Sequence, residues 1–103
     1  MNNIEKLQEY LKINSEDSFL LHALALEYIK GGNDTKAELL FKEVLAREPG
    51  YTGSYYHLGK LLERMHRPVE AATIYEKGMA ECKKINDGHS LNELKAALED
   101  LIE

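Results

Sequence analysis

The stretch Ser18–Tyr51, SFLLHALALEYIKGGNDTKAELLFKEVLAREPGY, decides the fold, because its key residues return at a fixed interval. Leu24-Ala25-x2-Tyr28 comes back thirty-four positions later as Leu58-Gly59-x2-Leu62, and Ala37-x3-Phe41 comes back as Ala71-x3-Tyr75. A period of this length marks a repeat array, in which no unit buries its apolar face alone and neighbours cover one another. Within each period the apolar residues recur every three or four positions, which is the spacing of one helix face. Two helices per period are therefore expected, divided at Gly31-Gly32 in the first repeat and near His66 in the second.

Working outward, Asn3–Ile13 reads as a helix through Ile4, Leu7, Tyr10 and Leu11, with Asn2 and Glu5 placed for a capping-box-like start. Asn14–Asp17 is a short polar turn, and Ser18–Lys30 is the second helix. Asn33 or Asp34 caps a third helix running to about Arg47, and Glu48-Pro49-Gly50 ends it. Thr52 or Ser54 opens the fourth, which ends near Met65. Pro68 suits the first turn of the fifth, where its missing N–H leaves nothing unpaired. Gly88 then breaks the chain, and Ser90-Leu91-Asn92-Glu93 is a capping box for a last helix striped by Leu91, Leu94, Leu98 and Leu101. Six helices and one domain over 1–103 are expected.

Composition narrows the function. The net charge is −5, against nucleic-acid binding, which draws its affinity from a basic surface. The charge is uneven: residues 52–84 carry six basic and four acidic groups, and both flanks are net acidic. The apolar run Phe19–Ile29 is broken by His22 and Glu27 and is too short to span a bilayer, so no membrane role is expected. The start Met1-Asn2-Asn3-Ile4-Glu5-Lys6 lacks the features of a signal peptide, and a single cysteine, Cys82, fits a reducing compartment. Together these predict a cytoplasmic protein.

Catalytic patterns are lacking. His22, His57, His66 and His89 include no i, i+4 pair of the kind that binds zinc on a helix. Gly31-Gly32 lacks the rest of a phosphate loop, and Cys82 has no activating base marked by the sequence. Neither a metal, a cofactor nor an enzymatic activity is expected.

The periodic residues resemble the tetratricopeptide repeat, whose pattern is W-x2-L-G-x2-Y, then A-x3-F, then P. Repeat 1 (18–51) and repeat 2 (52–85) match it over full periods, as in small stand-alone bacterial members. Tyr55 stands for the tryptophan, and Lys83 for the closing proline of the second repeat, which predicts that the second helix of that repeat runs longer. The resemblance implies an all-α superhelix of antiparallel helix pairs. An N-terminal half-repeat helix (1–16) and a C-terminal capping helix (89–103) would flank the two repeats, with Lys95 on the cap's wet face. Ala25, Ala37, Gly59 and Ala71 would be small where helices cross. Phe41 and Tyr75 would fill the space between one pair and the next.

The resemblance also implies a function, a protein- or peptide-binding adaptor whose first helices line a groove. On those helices His22, Leu26 and Lys30 lie at i, i+4, i+8, and Tyr56, Lys60 and Arg64 lie at the same spacing one period later. An acidic peptide segment or a free C-terminus is the expected ligand. Co-chaperone members hold a C-terminal carboxylate with lysine, arginine and asparagine, but the matching positions here are His22, Leu26 and His57. The alternative is a structural module that self-associates, so that a monomer or a weak homodimer is expected.

Overall fold

Helix α1 (Asn3–Ile13), α2 (Ser18–Lys30), α3 (Asp34–Arg47), α4 (Gly53–Arg64), α5 (Pro68–Ile85) and α6 (Gly88–Ile102) follow one another through short turns. The structure, a computed structural model, describes residues 2–103, and no strand occurs among the described residues. The chain is all-α and built of helix pairs. It divides into two compact units, the first ending at Glu48 and the second beginning at Pro49.

In the first unit, α1 packs on α2 and α2 on α3. Asn2 caps α1 by accepting the Glu5 N–H at 2.8 Å, as its place in the sequence predicts. Asp17 and Asn33 do the same for α2 and α3. The Ser18 hydroxyl donates to the Glu48 carboxylate at 2.9 Å, so the start of α2 meets the end of α3 and the pair runs antiparallel. Ala25, Ala37, Phe41 and Val44 are sealed from solvent, with Leu21 and Leu24 nearly so.

In the second unit, α4 packs on α5, and α6 lies against both. Close approach is the rule here. A Cβ added to Gly59 would come within 2.1 Å of the Tyr75 ring, and one added to Gly78 within 2.7 Å of both Tyr55 and Leu94. Tyr75 lies over Gly59 within its own pair, and Phe41 meets the His22 ring within its own. Tyr55, in the tryptophan position, donates its hydroxyl to the Pro49 carbonyl at 2.7 Å. Leu58, Leu61, Leu62, Ala71 and Leu94 complete the core.

The turns hold one confirmation and one correction. Gly32 has φ 79°, and His66, its equivalent one period later, has φ 60°. A side chain in this left-handed region is strained, by roughly 1–2 kcal/mol for an ordinary residue. The correction concerns α6. Gly88 does not break the chain; it is the first residue of the helix, and the Ser90 box is not its start. Asn86 ends α5 in the left-handed region, which swings Asp87 into the cap position. The Asp87 carboxylate then accepts the Ser90 N–H at 3.1 Å and the Thr52 hydroxyl at 2.8 Å. Thr52, at the head of α4, therefore makes no cap bond of its own. One acid ties together the starts of α4 and α6.

Three outcomes are expected in thermal melts. Gly59→Ala should destabilise by about 1–3 kcal/mol, because overpacking against Tyr75 outweighs the roughly 1 kcal/mol that alanine gains in a helix. Leu24→Ala should cost about 2–5 kcal/mol through the cavity it leaves. His66→Gly should stabilise by up to about 1 kcal/mol, since relief of strain exceeds the entropy that glycine adds to the unfolded chain. A fourth outcome depends on pH. Hydrogen bonds from the Ser90 backbone and then from the Thr52 and Ser90 hydroxyls hold the Asp87 carboxyl below its usual range. The stability this contributes is present above the ordinary aspartate pKa, near about 4, and is lost as pH falls through the lowered value. Asp87→Asn should flatten that acid limb of the melting-temperature profile.

Candidate functional site

On α2 the expected column of His22, Leu26 and Lys30 is present on one helix face, but its members do different things. The His22 ring stands edge-on to Phe41 with centroids 5.4 Å apart, so it belongs largely to the packing of α2 on α3. Leu26 is half-buried. The Lys30 ammonium sits 2.9 Å from Glu27, whose carboxylate also accepts from the Asn3 amide of α1 at 2.9 Å. Those two hydrogen bonds, from Lys30 and then Asn3, hold the Glu27 carboxyl below its usual range. Beside them Lys36 reaches over the Tyr28 ring at 5.3 Å.

On α4 the equivalent column is Tyr56, Lys60 and Arg64. The helix is strongly one-sided, with Tyr55, Leu58, Gly59, Leu61 and Leu62 buried and the column partly open to water. Lys60 Nζ lies 5.8 Å from the Tyr56 ring centroid, so the structure brings these two residues together. The pairing of a cation with the face of an aromatic ring is worth about 0.5–1 kcal/mol at an exposed site. The Tyr56 ring is in turn edge-on to His57, at 5.6 Å and 88°. Burial pushes the His57 imidazole below its ordinary value, partly opposed by Glu93 of α6.

Two residues outside the expected set shape this face. Glu63 lies with its Oε2 3.7 Å from Lys60 Nζ, and the same oxygen accepts the hydroxyl of Tyr75 from α5. Burial first, and then that bond to Glu63, push the Tyr75 hydroxyl pKa far up. Glu27 is likewise the acid beside Lys30, but at 2.9 Å it accepts a hydrogen bond from the lysine, which Glu63 does not. The i, i+3 spacing of each pair is visible in the sequence; the Tyr75 and Asn3 hydrogen bonds are not, because they come from other helices.

Reactive groups are subdued. Cys82 is buried, and its thiol is raised by desolvation and then by the nearby Asp87 charge, which keeps the thiolate scarce. No group of three or more histidine, cysteine, aspartate and glutamate side chains suited to a metal occurs among the described residues. No helix among them is long and apolar enough to cross a membrane. What the arrangement offers is a ring face with cations along one helix, suited to holding an anion beside a flat contact.

No family description and no curated sequence matches the chain. Solved structures do. A tetratricopeptide repeat domain protein from Salinibacter ruber is 38% identical, with a TM-score of 0.78 over 82% of this chain and 94% of that one. A protein from Bordetella parapertussis is 22% identical and superposes with a TM-score of 0.84 over 99% of this chain and 89% of that one. The type III secretion translocator chaperone of Yersinia enterocolitica is 13% identical, with a TM-score of 0.83 over 95% of this chain and 68% of that one. The last two are likenesses of fold. The first, together with the return of Leu24-Ala25 as Leu58-Gly59 and of Ala37-x3-Phe41 as Ala71-x3-Tyr75, carries the conclusion that this chain belongs to the tetratricopeptide repeat family.

Proposed function

We propose that the chain is a protein-binding module that holds an acidic peptide segment, or a free C-terminus, on the exposed face of α4, without catalysis. The observation that carries this reading is the Tyr56–Lys60 contact, at 5.8 Å, with Arg64 one turn further along the same face. A guanidinium can take a carboxylate through two parallel hydrogen bonds, and tyrosine gives flat contact area for little entropy. The α2 column, with His22, Leu26 and Lys30, is proposed as a weaker second surface, because His22 is committed to Phe41 and Lys30 to Glu27. The family membership supports a role in protein interaction, as does the fold shared with a secretion chaperone.

A second reading, self-association, has its own support. Helix α1 contributes no buried residue, and Tyr10 and Ile13 on it are 56% and 83% exposed. Val44, one period after Tyr10, is fully covered in α3. An apolar face left open in this way favours a second chain.

Binding of acidic peptides to wild type and to Lys60→Glu/Arg64→Glu tests the first reading. A hydrogen bond to a charged group is worth roughly 1.5–3 kcal/mol, so the double variant should lose about a hundredfold or more in affinity. Wild-type affinity should also fall with added salt as the exposed charges are screened. Amidated and free-acid forms of the same peptide separate side-chain from C-terminal recognition. Equal binding by wild type and variant overturns the reading. Sedimentation at two concentrations addresses the second: a rise in mass supports self-association, and an unchanged monomer mass excludes it.

A further inference from the structure

The carboxylate of Glu63 stands where an incoming ligand carboxylate would compete for Lys60. At 3.7 Å its Oε2 makes a charge contact with Lys60 Nζ that is too long for a hydrogen bond, so it neutralises the lysine without taking its donors. What keeps Glu63 there is α5. Tyr75 is fully buried, and its hydroxyl donates to the same Oε2. A buried hydroxyl must keep a partner, so the acid is pinned by the core and not by the cation it faces. The Lys60 side chain remains 42% exposed, against 27% for Glu63, which leaves its ammonium reachable from solvent.

We propose that Glu63 is an internal counter-anion, pinned by Tyr75, that occupies the charge position of a ligand carboxylate and thereby limits how tightly the α4 face takes an acidic peptide. This rests on the reading of Tyr56, Lys60 and Arg64 as a peptide-binding face. A carboxylate brought up to Lys60 comes close to Glu63 as well, so part of its attraction is offset by repulsion between like charges. Exposed pairs of this kind are worth about 0.2–1 kcal/mol, which corresponds to about a one-and-a-half- to fivefold change in affinity. Glu63→Gln removes the charge while its amide oxygen still accepts from Tyr75, so the α4–α5 packing is retained. Glu63→Asp keeps the charge and serves as the control for shape.

The test is fluorescence-anisotropy binding of a fluorescein-labelled hexaglutamate peptide with a free C-terminus, at low and at high salt. The proteins are wild type, Glu63→Gln, Glu63→Asp, Lys60→Met and the Glu63→Gln/Lys60→Met double variant. Glu63→Gln should bind about one-and-a-half- to fivefold tighter than wild type at low salt, with the difference shrinking at high salt. Glu63→Asp should not show the gain, and Lys60→Met should abolish it in the double variant. If Lys60→Met weakens binding while Glu63→Gln binds equally or less tightly, this inference falls and the peptide-binding reading stands. If Lys60→Met binds as wild type does, or no protein binds, Glu63→Gln included, the reading falls and the inference with it.

Discussion

The second unit depends on a ring laid against a backbone. Tyr75 reaches across from α5 onto Gly59 of α4, at a distance that any side chain at Gly59 would close. Because the contact has no slack, it limits how far α5 can slide along α4. Gly78 comes up to Tyr55 and Leu94, and the Tyr75 hydroxyl arrives at Glu63. Close packing of this kind resists gradual deformation, since small displacements already forfeit contacts on one side or clash on the other. The electrostatics of the α4 face therefore originate in the core: the same residue that packs the helix pair also decides where the Glu63 charge sits.

The first unit reaches a similar pairing by other means. Alanine, Ala25, stands in the position of Gly59, and Phe41, which has no hydroxyl, stands in that of Tyr75. Phe41 takes the edge of His22 as a neighbour, drawing that histidine into the packing of α2 on α3. Glu27 is oriented by Lys30 and by Asn3 of α1, and not by an aromatic hydroxyl. Two columns with identical spacing in the chain thus carry unequal chemistry. On α4 the aromatic and the lysine face one another; on α2 the half-buried histidine ring packs against Phe41.

Helix ends show how the same folding problem is solved with different residues. The left-handed turn after α2 is taken by Gly32 and its counterpart after α4 by His66, at nearly the same φ. After α5 the turn falls to Asn86, a residue whose short polar side chain tolerates this region better than most. That choice delivers Asp87 to the head of α6, where it serves two helices at once through Ser90 and Thr52.

The thirty-four-residue period is enough to place α2 to α5 and to pair them, because helix formation and small-to-large packing both follow from spacing along the chain. It marked Ala25, Ala37, Gly59, Ala71, Phe41 and Tyr75 as core, and each is buried. It also marked the column of Tyr56, Lys60 and Arg64, since residues four apart share a helix face. Three features needed the tertiary structure. Gly78 has Val44 as its counterpart, so no periodic signal announces the close approach of Tyr55 and Leu94. The start of α6 moved back to Asp87 because the conformation of Asn86 and a hydroxyl thirty-five residues away decided the cap, against the local capping box at Ser90. Glu63 gained its partner from a helix that the sequence places twelve residues on. Spacing determines which side of its own helix a residue occupies; which group on another helix meets it depends on the angle and depth at which the two helices pack.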